Sequence, residues 1–312
     1  MNAPISPGLL RRATSPFTLD CDSSYRRWRE AKLAVAATRA DQLLVHVGNP
    51  AAISEDERDA LLARLSAHNM ALYQLPEGCK DKALVQQLGA QLGITQLDAN
   101  WLADEDGVSN ITVARAATPD APRADFIPYT DRAIRWHTDG YYHPAERQIR
   151  SMILHCARPA DQGGENALLD HEIAYIALRD ASPRHIHALM APDAMTIPER
   201  CDEHGVARPA QTGPVFSVSA SDGALHMRYT ARTRSIVWKD DAATRAAVAC
   251  LAELLESPLP QILRVRMGAG MGIVAHNVLH DRSGFVDSAD SPRLLYRARY
   301  CDRSHAPELA WR

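Results

Sequence analysis

No stretch of this chain is apolar over the roughly 18 to 20 residues that a membrane-spanning helix needs, which argues against a spanning protein. Neither sign of charge is in excess. Lys and Arg number 35 against 38 Asp and Glu, a formal charge of −3. Such a balance argues against a dedicated nucleic-acid binder or a protein held on a membrane by basic residues. The six cysteines (21, 79, 156, 201, 250 and 301) are scattered, with no CxxC pair. They read as reduced thiols of a cytoplasmic protein. No GxGxxG or GxxxxGK[ST] fingerprint follows a strand-like run, and there is no internal repeat. The basic Arg11 and Arg12 have no apolar segment behind them, which argues against a secretory signal. What remains is 312 residues, 46% hydrophobic and 23% charged, enough to bury a sizeable core. Thirteen histidines are left for the motifs to explain.

Residues 1–40 read as an N-terminal extension, an irregular leader followed by a short helix, and residues 41–312 as a single domain. Leu43–Val47 reads as a strand. Ser54 and Glu57 have the spacing of a capping box, and Leu61, Leu62 and Leu65 continue at helical period. Asn69 is the expected stop before a strand over 71–75, and a helix fits Asp81–Leu92. Beyond residue 105, short β-like segments dominate: 111–114, 149–157, 214–218, 224–230, 262–267, 273–277 and 294–300. Helices interrupt them at 170–178, at 183–190 with Ser182 as N-cap, and at 241–255. Many short strands with helical inserts predict a mixed β fold, a sandwich or jelly-roll barrel with added helices.

The sharpest local feature is Trp136-His137-Thr138-Asp139. On an extended strand, residues two apart share a face, so His137 and Asp139 could bind one metal from one side. An HxD pair is common by chance and needs a third ligand. His276 and His280, in a segment fed by Gly268, Gly270 and Gly272, are candidates, and His143 is a local one. His155 sits in an apolar run and reads as a hydrogen-bonded core histidine; His171 sits at a helix start. Two histidines and one carboxylate on one face of an octahedral ion leave three positions open. In the last strand, period 2 puts Arg293, Leu295, Arg297 and Arg299 on one face. Inside a barrel, three arginines call for an anion, and a dicarboxylate suits guanidinium geometry.

These elements fall in a familiar order: His137-x-Asp139, Gly163-Gly164-Glu165-Asn166, Leu279-His280-Asp281-Arg282 and Arg293-x-x-x-Arg297. Together, over roughly residues 40–302, they resemble the iron(II)- and 2-oxoglutarate-dependent dioxygenases of the taurine dioxygenase and γ-butyrobetaine hydroxylase type. The resemblance implies a double-stranded β-helix (jelly-roll) core with N-terminal and inserted helices. It makes His137, Asp139 and His280 the iron ligands and Arg293 the partner of the distal carboxylate of 2-oxoglutarate. Arg297 resembles a second arginine near the other end of the co-substrate or the substrate's anionic group. It implies that O₂ and 2-oxoglutarate are consumed, succinate and CO₂ are released, and a substrate C–H bond is hydroxylated. A homo-oligomer, dimer or tetramer, is common in such a family.

Asn166 stands where many members place a threonine near the co-substrate; its amide can still donate to a carboxylate. Tyr141 and Tyr142 could line the substrate pocket. Arg228-Tyr229-Thr230 resembles an Arg-Tyr-Asn element of the betaine branch, but Thr230 replaces the asparagine, which weakens a betaine substrate. Arg228, Arg297 or Arg299 could meet an anionic group. The expected substrate is a small polar, anionic molecule. The competing reading is another metal enzyme on the same scaffold, a zinc hydrolase or a cupin-like isomerase; the paired arginines speak against it.

Overall fold

Local signals set most element boundaries in the computed structural model, which describes residues 15–98, 104–113, 126–202, 205–288 and 291–304. The first 14 residues of the expected leader and Ala114 lie outside them. In chain order the main elements are α1 (Asp22–Val35), β1 (Leu44–His46), α2 (Glu55–His68), β2 (Met70–Gln74), α3 (Ala83–Gln91) and β3 (Ser109–Ile111). Then come β4 (Ile134–His137), β5 (Ser151–Arg158), β6 (Asn166–Leu169), α4 (His171–Ala181), α5 (Pro183–Leu189) and α6 (Ala242–Glu256). β7 (Leu263–Val265), β8 (Met271–Ala275), β9 (Leu279–Arg282) and β10 (Leu294–Tyr300) close the chain. The capping box forms as expected: the Glu57 amide donates to Ser54 Oγ at 3.2 Å and the Ser54 amide to Glu57 Oε2 at 2.8 Å. Asn69 ends α2 in the left-handed region, φ 56°, which asparagine tolerates better than most residues. Ser182 and Asp241 cap α5 and α6.

The strands build a six-stranded sheet, order β1-β2-β8-β5-β10-β3, and a four-stranded sheet, order β7-β6-β9-β4. Pairing is antiparallel except between β1 and β2. Alternation along each strand assigns the two faces. Leu72, Met152, Leu154, Ile273, Ala275 and Leu295 from the larger sheet share one apolar cluster with Leu168, Leu263 and Val265 from the smaller. Their neighbours Ala71, Tyr73, Ile153, Val274, Ala298 and Tyr300 turn the other way, against α2 and α3. Ala167, Leu169 and Leu279, with Trp136, face outward onto α4, α5 and α6. Both faces of the central strands are therefore covered, which is why 151–157 reads as one apolar run rather than as an alternating pattern.

Three expectations need revising. The helix after Asp170 runs on to Ala181 rather than stopping at Leu178. Short strands at Met195–Ile197, Arg200–Asp202, Gly205–Arg208 and Gln211–Gly213 were not foreseen, because each is too brief to show a period. Residues 15–40 are not an appendage. Phe17, Tyr25 and Trp28 pack edge-on around Tyr175 of α4. Lys32, 1% exposed, has its ammonium 2.6 Å from both Asp170 and Glu172.

Candidate metal centre

β4 and β9 are neighbours, and His137 and His280 are direct partners in their register. In an antiparallel pair such residues project from the same face, and the two rings lie 4.2 Å apart, centre to centre. That face is the inner one, because Trp136 and Leu279, one residue away on each strand, belong to the outer cluster. β4 stops at His137, so Asp139 is not strictly on a strand. The chain stays extended through Thr138 because Tyr229 and Thr230 pair with it: the Thr138 amide donates to Tyr229 O at 3.0 Å and the Tyr229 amide to Thr138 Oγ1 at 3.1 Å. It then turns at Gly140, φ 65°. His137, Asp139 and His280 each offer a ligand atom, and these atoms lie within 4.8 Å of one another.

The donor set suits a divalent metal in three ways. His137 Nδ1–H donates to Arg135 O at 2.9 Å and His280 Nδ1–H to Val278 O at 3.0 Å. Both Nδ1 atoms are thereby committed, so each ring presents a bare Nε2. Burial, then the neighbouring His280, push the His137 imidazole down to about 3, which keeps it neutral. Burial alone would raise Asp139, but Arg297, Arg299 and the two imidazoles outweigh it and hold the carboxyl below its usual range. Asp139 Oδ1 lies 3.3 Å from Arg297 Nη1. Asp139 Oδ2 is buried and accepts no hydrogen bond among the described residues, an orphaned acceptor that a cation between the imidazoles would satisfy.

Asn277, which sequence reasoning had placed at a strand end, holds this arrangement. It sits at φ 50° just before β9. Its Oδ1 accepts from the Asp139 amide at 2.7 Å, and its Nδ2 donates to Asp139 O at 2.9 Å and Ile149 O at 2.7 Å. The one available signal was an asparagine before an apolar strand, where a left-handed residue is tolerated. The rival histidines lie elsewhere. His276 Nε2 is 2.7 Å from Ser304 Oγ, and His143 Nε2 is 3.3 Å from Asp98 Oδ2. His155 hydrogen-bonds with Tyr73 Oη at 3.2 Å, as a core histidine would.

The arginines divide by partner. Arg293, 4% exposed, lies with its guanidinium over the Phe285 ring at 4.9 Å; its backbone amide donates to Asp287 Oδ2 at 2.9 Å, and its guanidinium forms no ion pair among the described residues. It lines a small cleft with Cys156, Gly163, Gly164 and Arg266. Burial pulls its pKa down to about 10. Gly163, φ 73°, has no room for a side chain: a Cβ there would stand 2.3 Å from Gly284 O. Asn166 is buried on the inner face of β6, two residues from Leu168, its Nδ2 3.5 Å from Gly164 O. Arg299 faces the same interior as Arg297 but is already engaged, its Nη2 2.6 Å from Asp98 Oδ2 and its Nη1 donating to Tyr142 Oη at 2.9 Å. Burial pushes Asp98 up, yet His143, Arg299 and Arg147 bring it down to about 2. Arg228, expected as a substrate contact, instead donates to the carbonyls of Met195, Gly213, Gln211 and Pro214; these bonds tie the short strands Met195–Ile197 and Gln211–Gly213 together. Tyr141 and Tyr142 meet edge-on, 5.3 Å apart.

Two imidazoles and a carboxylate converging on the inner face of a two-sheet fold define a candidate mononuclear metal centre with a 2-His-1-carboxylate donor set. Residues 82–299, well over half of the chain, match the taurine catabolism dioxygenase TauD, TfdA family. The chain belongs to this family. A uridine-5'-phosphate dioxygenase from an Amycolatopsis species is 32% identical over 177 residues, 55% of this chain and 62% of that protein. The match therefore spans less than two thirds of that relative. A uridine-5'-phosphate dioxygenase from a Streptomyces species is 28% identical over 213 residues, 65% of this chain and 73% of its own. The non-heme iron oxygenase OrfP, solved with Fe and alpha-ketoglutaric acid, has a similar fold, with TM-score 0.59 and 19% identity over 90% of this chain and 92% of its own. No helix among the described residues is long and apolar enough to cross a membrane.

Proposed function

We propose that this protein is an iron(II)- and 2-oxoglutarate-dependent dioxygenase that hydroxylates a small, anionic organic substrate, and that His137, Asp139 and His280 are its iron ligands. The observation that carries the reading is the orphaned, buried Oδ2 of Asp139 beside two imidazoles whose Nδ1 atoms are already bonded. We also read the two sheets, between which the strands from β4 to β10 alternate except that β6 and β7 pair within the smaller one, as the halves of a double-stranded β-helix. When bound, iron(II) supplies the oxygen chemistry: O₂ and 2-oxoglutarate become succinate and CO₂, and one oxygen atom enters a substrate C–H bond.

The side chains hold and orient. Arg293, buried and with no ion pair to its guanidinium among the described residues, receives the distal carboxylate of 2-oxoglutarate through its fork of donors. Asn166 offers an amide donor to the same molecule. Arg297 keeps Asp139 ionised and turned inward. The apolar cluster between the sheets keeps bulk water from the centre. Uridine 5'-phosphate, the substrate named for both curated relatives, is a small polar anion and the first candidate to test.

The iron(II)-loaded protein, given O₂ and 2-oxoglutarate, should form succinate slowly alone and faster with the true substrate. Arg293→Gln should raise the 2-oxoglutarate concentration needed roughly 100-fold, the loss of a buried bidentate pair. No succinate under any substrate, with Arg293→Gln binding 2-oxoglutarate as well as the parent protein, would overturn the reading.

A further inference from the structure

Arg299 is a buried cation that faces the metal centre. It lies two residues from Arg297 on the inward side of β10, opposite Met152 of the inner apolar cluster, and its side chain is 3% exposed. Arg297 itself is 3.3 Å from Asp139 Oδ1. Against the upward push of burial, Arg297 and then Arg299 hold the Asp139 carboxyl below its usual range, so the field of Arg299 reaches that ligand. Two guanidiniums thus stand beside one carboxylate before any metal ion enters. A divalent cation adds like charge to a site that solvent and salt screen little.

Asp98 offsets this charge. Among the described residues it is the one carboxylate paired with Arg299, whose Nη2 donates to Asp98 Oδ2 at 2.6 Å. The backbone fixes its place: the Asp98 amide donates to Arg299 O at 2.8 Å, and Leu97 bridges to Tyr300. The same carboxylate ties down the segment that follows Asp139. Arg147 Nη2 lies 2.8 Å from its Oδ1 and His143 Nε2 3.3 Å from its Oδ2, while Arg299 Nη1 donates to Tyr142 Oη at 2.9 Å. Arg147 is half exposed and screened by water; Arg299 is not.

We propose that Asp98 is a positioning residue of the metal centre: by pairing with Arg299 it keeps that guanidinium from competing for Asp139 and leaves the Asp139 carboxylate to the metal ion. This rests on the reading of His137, Asp139 and His280 as ligands and adds to it a residue that touches neither metal nor substrate. A buried cation stripped of its carboxylate is costly, and Asp139 is the other carboxylate whose field it already feels.

Anaerobic competition for iron(II) against a chromogenic chelator tests this without any substrate. Asp98→Asn keeps the size of the side chain and removes its charge, and should weaken iron(II) binding roughly 10- to 100-fold. A double variant, Asp98→Asn with Arg299→Gln, removes the cation as well. It should bind iron(II) within roughly twofold of Arg299→Gln alone, a rescue that a merely structural role for Asp98 does not give. Arg299→Gln by itself should bind iron(II) as tightly as the parent protein or more tightly, and this judges the inference even if Asp98→Asn does not fold, which near-ultraviolet circular dichroism reports. Parent affinity in folded Asp98→Asn, a loss that persists undiminished in the double variant, or a loss of roughly tenfold in Arg299→Gln would overturn the proposal and leave the metal centre standing. No iron(II) binding by the parent protein overturns the ligand reading, and the proposal with it.

Discussion

Replacing Asn277 with alanine should unclamp the metal centre without touching a ligand. Asn277 is 2% exposed and makes three hydrogen bonds of 2.7–2.9 Å, two of them to the backbone of Asp139. Each is worth about 1 kcal/mol net, and more where the buried partner is left without a substitute. Alanine must also hold φ 50°, which costs about 1 kcal/mol. Together these put the loss of folding stability near 4 kcal/mol. The carboxylate that Asn277 positions should then wander, lowering iron(II) affinity about 10- to 100-fold, as with other groups that orient a ligand. Asn277→Gly separates the causes, since glycine accepts the positive φ but makes none of the bonds. Urea unfolding and competition for iron(II) against a chromogenic chelator read the two quantities. If Asn277→Gly matched the parent protein in both, the side-chain bonds would carry no weight and the reasoning would fail.

Other outcomes follow from single contacts. Lys32→Met should cost about 3–5 kcal/mol in urea unfolding, because it strands Asp170 and Glu172 as buried charges; a near-neutral change would mean that these ion pairs do not hold α1 in place. Gly163→Ala should destabilise far more than Gly223→Ala. Both have positive φ, but only at Gly163 does the new Cβ meet a backbone oxygen, at 2.3 Å, while at Gly223 nothing lies within 4 Å; parallel thermal melts compare them. Metal-free protein should lose stability in mild acid. Burial lowers His68 to about 4 and His226 to about 3, so the unfolded chain takes up protons that the folded one refuses. Their stabilising contribution is complete above pH 6.5 and declines as pH falls toward those values, by about 1.4 kcal/mol per pH unit for each histidine. Urea midpoints that stay level from pH 7.5 to 5 would contradict this.

Features encoded within a few residues were legible in the sequence. The capping box at Ser54 and Glu57, the stop at Asn69 and the cap at Ser182 all depend on neighbours along the chain. The parity of the last strand was legible too: Leu295 enters the inner cluster, and Ala298 and Tyr300 the outer one. What long-range pairing decides was not. Spacing alone could not separate His280 from His276; the register of β9 on β4, set by distant strands, brings the first beside His137 and leaves the second with Ser304. Residue type misled at Arg228 and Arg299. Both are cations that could bind an anion, yet four carbonyls occupy one and Asp98 the other. Asp98 itself lies in no motif, and nothing along the chain pairs it with Arg147, Arg299 and His143.

The account stands most directly on iron(II) binding. Anaerobic titration of the metal-free protein with iron(II), in the presence of 2-oxoglutarate, should give one tight site per chain. That site should vanish in Asp139→Ala and His280→Ala and persist in His276→Gln. No stoichiometric binding by the parent protein, or a site lost with His276 and kept without His280, would contradict it.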